Sequence, residues 1–326
     1  MGTPDFSVGT LEEIINAGHE VVGVVTQPDK PKGRGGKMQA TPVKEVALRH
    51  KLPVYQPVKV KAEAFIAELK AMNPDVIVVV AFGQIISQEI LDLPKYGCIN
   101  VHASLLPKYR GAAPIQWAII NGEEKTGVTI MQMDAGIDTG DMIDKIEITL
   151  SEDETGGSLF DKLSQSGAKL LTKVLGDIES GTIIRTPQPQ ISPTPYAKMI
   201  KKQMGKIDFN EEAIAIERLI RGLSPWPSAY TSIAGKTLKL WQAIVDSEDI
   251  NNEDTNNKDT NNEDINNKDT NHQVGTITKI DKQAIWVQTQ KGLLGITELQ
   301  LEGKKRMNTT DFLRGFELTT TTTLGE

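Results

Sequence analysis

The sequence predicts an α/β domain with a mostly parallel, Rossmann-like sheet, followed by a smaller domain built from short strands. Apolar β-branched runs at 21–25 and 76–80 are typical of strands that are buried on both faces. The stretches 11–17 and 61–72 space their apolar residues three to four apart, which predicts helices between the strands. This alternation over the first part of the chain is the pattern of a parallel sheet covered by helices.

A proline-rich connector marks the expected domain boundary. Residues 186–195 contain Pro187, Pro189, Pro193 and Pro195 and have little to bury. We therefore assign residues 1–190 to the first domain, 191–206 to a linker and 207–318 to the second domain. Beyond the linker, 211–222 predicts one amphipathic helix, and five strand-like runs lie at 229–233, 237–245, 274–280, 284–289 and 293–301. One helix with five strands suits an OB-like β-barrel, with a generic small β-domain as the alternative.

An acidic, asparagine-rich segment separates the second and third of these strands. Residues 246–272 hold nine acidic residues and two lysines, a net charge of −7 that equals the net charge of the whole chain. Within it, 251–270 repeats a five-residue polar unit that cannot offset the entropy of ordering, so we predict a disordered insert at 247–273. Residues 196–245 and 273–326 hold 15 basic and 10 acidic residues, so the second domain is locally basic. Scattered surface lysines would give the same count.

Cysteine content and hydropathy limit the class of protein. Cys98 is the only cysteine, which excludes disulfides within the chain and thiolate metal clusters and fits a reducing cytoplasm. No apolar run reaches the roughly 18 residues of a membrane helix, and the first residues lack a secretory pattern. We expect a cytoplasmic monomer with no membrane partner and no metal.

One of the four histidines has a polar companion. His19, His50 and His272 have none at useful spacing. Asn100 and His102 lie two residues apart on a predicted strand, so they project from the same face. That position is near the carboxyl end of a parallel strand, where open α/β sheets hold ligands. A structural strand histidine is the alternative for this motif alone.

Two glycine-containing runs follow this strand, at 104–115 (SLLPKYRGAAPI) and 133–141 (MDAGIDTGD). Together with Asn100 and His102 they resemble the 10-formyltetrahydrofolate-dependent formyltransferases. Further matching runs are 2–6 (GTPDF), 26–30 (TQPDK), 33–35 (GRG) and 303–307 (GKKRM) with Asp311 and Phe312. The resemblance covers almost the whole chain apart from the asparagine-rich repeat. It implies that Asn100, His102 and Asp138 are the catalytic residues.

The resemblance also implies a folate site beside these residues, with 10-formyltetrahydrofolate as co-substrate. The expected folate-binding residues are Phe82, Gly83, Gln84, Ile85, Ile86, Ser104, Leu105, Leu106, Pro107, Asp134 and Gly136. In the chemistry, the Asn100 amide and a protonated His102 would donate to the oxygen that gains charge when an amine attacks the formyl carbon. Asp138 would orient the imidazole and take the amine proton, directly or through a water. The alternative for Phe82 and Ile85 is a place in the core.

The implied acceptor is methionine carried by initiator tRNA. Residues 30–37 hold four positive charges among glycines, which predicts a flexible loop that can neutralise phosphates. The expected tRNA-binding residues are Lys32, Arg34 and Lys37 in this loop, and Lys206, Lys304, Lys305 and Arg306 in the second domain. A solvated lysine loop is the alternative.

One departure and several rival functions remain. The family has an apolar strand before its Gly-Thr-Pro turn, whereas here the turn follows Met1 directly, so we expect unpaired groups on neighbouring strands.

Glycinamide ribonucleotide or sugar-nucleotide formyltransferases would share the catalytic residues but need no basic loop or second domain. A nicotinamide-dependent oxidoreductase would need G-x-G-x-x-G after the first strand, which 33–36 does not provide. A non-catalytic RNA-binding protein would leave Asn100, His102 and Asp138 unexplained.

Overall fold

The computed structural model describes residues 1–32, 36–246 and 272–325. They form two compact units. The first comprises residues 1–115, 124–151 and 158–199, and the second comprises residues 116–123, 152–157 and 200–326. The helices are α1 (Val8–Asn16), α2 (Pro42–Arg49), α3 (Glu63–Met72), α4 (Gln88–Leu91), α5 (Pro114–Ile120), α6 (Gly156–Glu179), α7 (Ala213–Gly222) and α8 (Thr309–Leu313).

The strands run in chain order through both units. They are β1 (Val24–Val25), β2 (Lys30–Lys32), β3 (Lys37–Gln39), β4 (Val54–Tyr55), β5 (Ile77–Val79), β6 (Cys98–His102), β7 (Lys125–Gln132), β8 (Met142–Thr149), β9 (Ala229–Ile233), β10 (Lys236–Val245), β11 (Ile277–Ile280), β12 (Ile285–Gln288), β13 (Leu293–Leu301) and β14 (Met307–Asn308).

The first unit contains a Rossmann-like, mostly parallel arrangement of strands, as the sequence predicts. β4 pairs with β1, and β5 pairs with β6, both in parallel. The first two residues bridge these pairs, because Gly2 N donates to Val25 O and Val80 N donates to Met1 O. β7 and β8 extend the sheet beyond β6 in antiparallel register. The carboxyl ends of β1, β5 and β6 therefore meet at one edge of the sheet.

The strands beside Met1 are shorter than the apolar runs that predict them. The run 21–25 is a strand only at Val24–Val25, and the run 76–80 only at Ile77–Val79. Residues 21–23 and 74–77 instead line a cavity of about 310 Å³ that also touches Met1 and Gly2. A strand is defined by the backbone hydrogen bonds that it makes with a neighbouring strand. The cavity separates residues 21–23 from residues 74–77, so these two parts of the apolar runs do not pair with each other.

Helices cover the sheet where their apolar stripes predict. The expected helices at 11–17 and 61–72 are α1 and α3, and α3 buries Phe65, Ile66 and Leu69 against β5. α2 begins where its sequence requires, because the Thr41 side chain accepts a hydrogen bond from Lys44 N and Pro42 fills the first turn. The resulting core fixes β5 and β6, and β6 is the strand that carries Asn100 and His102.

The second unit contains the antiparallel sheet expected from its five strand-like runs. Its strand order is β11–β12–β13–β10–β9, with β14 added beside β13. The apolar face of α7 packs on this sheet through Ile216 and Ile220. The predicted insert at 247–273 lies outside the described residues except for His272 and Gln273, which are exposed. Among the described residues, every helix is too short or too polar to cross a membrane.

Candidate active site

The site is built on β6, which lies between β5 and β7. Alternate residues of this strand face opposite sides, as the sequence predicts. Ile99 and Val101 are buried in the core, whereas Asn100 and His102 share the other face. Asn100 is half-buried and His102 is only 5% exposed. Both side chains are thus held by a strand that is paired on its two edges.

The loop after β7 brings Asp138 to this face. Asp138 Oδ1 lies 3.4 Å from Asn100 Nδ2 and 3.6 Å from His102 Nδ1. Its other oxygen accepts a hydrogen bond of 2.8 Å from Gly111 N. The contacts to the amide and the imidazole are longer than ordinary hydrogen bonds. The three groups therefore lie close together without using up one another's hydrogen-bonding capacity. An amide, an imidazole and a carboxylate that share one surface can bind and exchange protons with a reacting group.

The contact of His102 with the loop after β6 indicates where its protons lie. His102 Nε2 is 3.1 Å from the carbonyl oxygen of Tyr109. Because a carbonyl can only accept, Nε2 carries a hydrogen in this arrangement. The other ring nitrogen faces the Asp138 carboxylate, so a proton on Nδ1 would also be directed at an acceptor. The ring is oriented from both sides.

The loop after β6 is braced by its own polar groups. Ser104 Oγ donates to Lys108 O at 2.7 Å, and Thr129 Oγ1 both donates to Ser104 O and accepts from Leu106 N. The side chains of Ser104 and Leu106 are buried. Leu105 and Pro107 are half-buried. Of the four residues in this run that are expected to bind folate, Ser104 and Leu106 therefore shape the loop, whereas Leu105 and Pro107 keep accessible surface.

The loop after Val80 divides in the same way. The side chains of Phe82 and Ile86 are buried in the core, and Gln84 is occupied by Val60 N and Pro57 O. Gly83 is exposed and Ile85 is 80% exposed. The glycine backbone and the isoleucine side chain are therefore part of the open surface of this loop, whereas Phe82 and Ile86 are not.

The loop that carries Asp138 forms a tight turn at residues 134–139. The exposed Asp134 carboxylate accepts hydrogen bonds from Gly136 N at 3.0 Å and from Thr139 Oγ1 at 2.8 Å. A Cβ on Gly136 would lie 2.0 Å from that hydroxyl, so only glycine fits. Ile137, at the tip, is 56% exposed. The turn presents an apolar side chain directly before Asp138.

The basic residues expected to bind tRNA are described to different extents. Lys32 and Lys37 pair through their backbones in the β2–β3 hairpin, and Arg34 lies outside the described residues. In the second unit, Lys206, Lys304 and Lys305 are exposed. Arg306 is exposed too, but its guanidinium forms two contacts with the Glu298 carboxylate and lies 4.7 Å from the ring centre of Trp241. Its charge is partly neutralised within the unit.

Sequence reasoning did not identify Arg110 and Gln188 as site residues. Arg110 stands inside the 104–115 run and is only 8% exposed, although arginine is seldom buried without partners. Its guanidinium donates to the side chain of Gln188, which lies in the proline-rich connector. The arginine could have been noticed within its glycine-containing run, whereas nothing in the connector distinguishes Gln188 from its neighbours.

Comparison with known families and proteins places this site in a family. The profile of the formyl transferase family matches residues 1–175, and that of the formyl transferase C-terminal domain matches residues 199–317. The methionyl-tRNA formyltransferase of Agathobacter rectalis is 58% identical over 97% of this chain and 95% of its own length. That of Clostridioides difficile is 49% identical over 100% of this chain and 98% of its own length.

Solved structures of low sequence identity share the fold. A sugar 3N-formyl transferase crystallised with dTDP and 5-N-formyl-THF superposes with a TM-score of 0.62 at 20% identity, covering 93% of this chain and 97% of that one. An N-formyltransferase from Helicobacter canadensis, in complex with folinic acid and dTDP-3-aminofucose, gives 0.61 at 20% identity, covering 94% and 97%. The two-domain architecture is therefore one that formyltransferases use.

Proposed function

We propose a catalytic mechanism from one premise: the chain belongs to the methionyl-tRNA formyltransferase family. It transfers a formyl group to the methionine amine of initiator methionyl-tRNA. In this proposal Asn100, His102 and Asp138 carry out the transfer. The observation that supports it is the convergence of their amide, imidazole and carboxylate on one face of β6, where Asp138 Oδ1 lies 3.4 Å from Asn100 Nδ2 and 3.6 Å from His102 Nδ1.

Each side chain has a role that follows from its chemistry. As the amine forms a bond to the formyl carbon, negative charge develops on the formyl oxygen, and the Asn100 amide donates a hydrogen bond to it. His102 donates as well when the bound substrate takes the place of Tyr109 O at Nε2 or of Asp138 at Nδ1. Asp138 holds the imidazole ring and accepts the proton that the amine loses, directly or through one water. The bond from the formyl carbon to the donor nitrogen then breaks, and His102 supplies the proton which that nitrogen requires. Preorganised donors of this kind lower a barrier by about 3 kcal/mol each.

The proposed co-substrate is 10-formyltetrahydrofolate, which supplies the formyl group when bound. The loops at 81–87 and 133–141 fit a flat heterocycle, because their open surface includes Gly83 and the exposed apolar side chains of Ile85 and Ile137. Backbone groups of these loops can orient its polar edge. We propose that Ser104, Leu106, Phe82, Gln84 and Ile86 hold the walls in place rather than contact the ligand with their side chains.

The proposed tRNA contacts are electrostatic. Lys206, Lys304 and Lys305 are exposed in the second unit, and the basic run 30–37 contributes Lys32, Arg34 and Lys37 to the proposal. Such residues bind phosphates without reading sequence. A role in translation initiation, together with a single cysteine, supports a cytoplasmic location.

The direct test offers two acceptors at once. The protein is incubated with 10-formyltetrahydrofolate, charged initiator tRNA and glycinamide ribonucleotide, and the formylated products are separated. We expect formylmethionyl-tRNA alone, and formylation of the ribonucleotide instead would contradict the proposed acceptor. His102→Ala should keep the thermal midpoint of the wild type and lose transfer by at least two orders of magnitude, because both a donor and a proton carrier are removed. Near-normal turnover in that variant would contradict the mechanism.

A second variant separates tRNA binding from chemistry. Arg34→Ala should raise KM for tRNA while kcat at saturating tRNA stays near the wild-type value, because the proposed role of Arg34 is to bind a phosphate and not to act on the formyl group. Lys61→Ala, at an exposed lysine outside the proposed tRNA-binding set, provides a control for surface-charge effects. A fall in kcat without a change in KM would refute this assignment of Arg34.

A further inference from the structure

A closed ring of contacts surrounds Asp138 and His102, and it runs through the proline-rich connector. The segment 109–111 touches both catalytic side chains. Tyr109 O contacts His102 Nε2 at 3.1 Å, and Gly111 N donates to Asp138 Oδ2 at 2.8 Å. The residue between them, Arg110, points its side chain to the connector instead. The side chains of His102 and Asp138 are thus both held by the backbone of residues 109–111.

The Arg110 guanidinium is satisfied almost entirely by this connector. Its Nε and Nη2 donate to Gln188 Oε1 at 3.0 and 2.9 Å. Nη2 also donates to Pro189 O at 2.7 Å, and Nη1 donates to Gln190 O at 3.3 Å. A buried charge requires such partners, because an unpaired charge in the protein interior is strongly destabilising. The contacts fix the connector and hold the Gln188 amide with its oxygen toward the arginine.

The other end of the Gln188 amide reaches the catalytic loop. With the oxygen committed to Arg110, Nε2 donates to Asp138 O at 3.0 Å and to Gly140 O at 2.7 Å. Asp138 has a φ of 55°, a left-handed conformation that is unfavourable for a residue with a Cβ. The two hydrogen bonds from Gln188 hold the backbone in that conformation.

We propose that Gln188 is a positioning residue for formyl transfer, which acts by holding Asp138 in reach of Asn100 and His102. The proposal rests on the catalytic role proposed for Asp138. Gln188 itself contacts no catalytic side chain, only the backbone that carries one. The connector therefore belongs to the catalytic machinery of the first unit, in addition to leading into the second.

Two variants separate the two ends of the amide. Gln188→Ala removes both ends, whereas Gln188→Glu keeps an acceptor for Arg110 but turns an acceptor toward the Asp138 and Gly140 carbonyls. We expect both to lower kcat by on the order of 10- to 100-fold, because a displacement of about 1 Å at a reacting group has that effect. KM for the folate and for tRNA should change less than threefold. Ile191→Ala, at a connector residue that is 84% exposed, is the matched control and should behave as the wild type.

The decisive measurement is a double-mutant cycle with Asp138→Ala. If Gln188 acts through Asp138, adding Gln188→Ala to Asp138→Ala lowers kcat no further. Fully additive losses, or a Gln188→Ala enzyme with kcat within twofold of the wild type, would overturn the proposal. A loss of kcat in Gln188→Glu that disappears when rates are corrected for the folded fraction would overturn it too. Wild-type turnover in Asp138→Ala alone would instead refute the catalytic role of Asp138.

Discussion

Replacing Asp138 with asparagine tests the carboxylate at the centre of the site. The variant keeps the shape of the side chain, and its amide oxygen must face Gly111 N, which donates to Asp138 at 2.8 Å. Its NH₂ group then replaces the oxygen that faces Asn100 Nδ2 and His102 Nδ1. The contact with Asn100, and the contact with His102 when its imidazole is protonated, then join two donors, while the fold loses no buried volume.

The size of the effect follows from the distance to the imidazole. In the step of the mechanism in which the imidazole is protonated, two opposite unit charges separated by 3.6 Å attract by about 4–5 kcal/mol at an effective dielectric constant of about 20. Part of that attraction is already present before the reaction begins, and only the part that grows in the transition state affects the rate. We take roughly 3 kcal/mol as the loss, which corresponds to about a hundredfold lower kcat.

The assay is single-turnover formyl transfer with saturating enzyme, because it reports the chemical step without product release. Asp141→Asn, in the same loop, is the matched control and should keep the wild-type rate. Thermal unfolding of both variants should give midpoints near that of the wild type. A rate for Asp138→Asn within threefold of the wild type would refute the reasoning, since the carboxylate charge would then have no part in transfer.

Three further outcomes follow from the structure. Burial raises the pKa of the Cys98 thiol to about 12, so Ellman's reagent at pH 8 should modify it only as fast as the chain unfolds, and rapid labelling of the folded protein would contradict this burial. A hydrogen bond from the Trp286 indole, with two from backbone amides, holds the pKa of the Asp281 carboxyl well below its usual range. Its contribution to stability is therefore present above the unfolded pKa of about 4 and is lost as the pH falls, so urea unfolding between pH 6 and 3 should show a shallower decline for Asp281→Asn than for the wild type, and parallel declines would count against it. Lys305→Ala should reduce the slope of log K against log salt for tRNA binding by about 0.7–0.9, and Arg306→Ala by less, because Arg306 already has a carboxylate partner; equal slopes would show that its charge is available to phosphate.

Periodicity predicted the elements that depend on side-chain burial. The strands β9 and β13 begin and end at the predicted residues, and Asn100 and His102 share a face because a strand alternates its side chains. The mostly parallel first sheet and the antiparallel second sheet are confirmed. Strand length beside Met1 was not predictable, because it depends on backbone partners rather than on the apolar run.

For the loops, the sequence predicted their positions in the chain but not which of their side chains are buried. Within 82–86 and 104–107 the resemblance named every residue alike, but the chain buries Phe82, Ile86 and Leu106 and leaves Ile85 open. No periodic rule assigns faces where the backbone turns at each residue. The place of Asp138 came from the resemblance alone, since a loop must fold back across β6 to bring it to His102.

The connector shows why its contribution was invisible in the sequence. Prolines at alternate positions indicate a segment that buries little, and they predict a boundary. In the structure, Thr186 exchanges two backbone hydrogen bonds with Met142, and Ala197 N donates to Arg110 O. These contacts use main-chain groups that every residue type except proline can offer, so composition carries no sign of them. Side-chain contacts add to them, and the one that reaches the loop of Asp138 is made by Gln188, whose orientation depends on a buried arginine 78 positions earlier in the chain. A segment that composition marks as a spacer can therefore hold a catalytic loop, because backbone pairing fixes its register and one amide then suffices to reach Asp138.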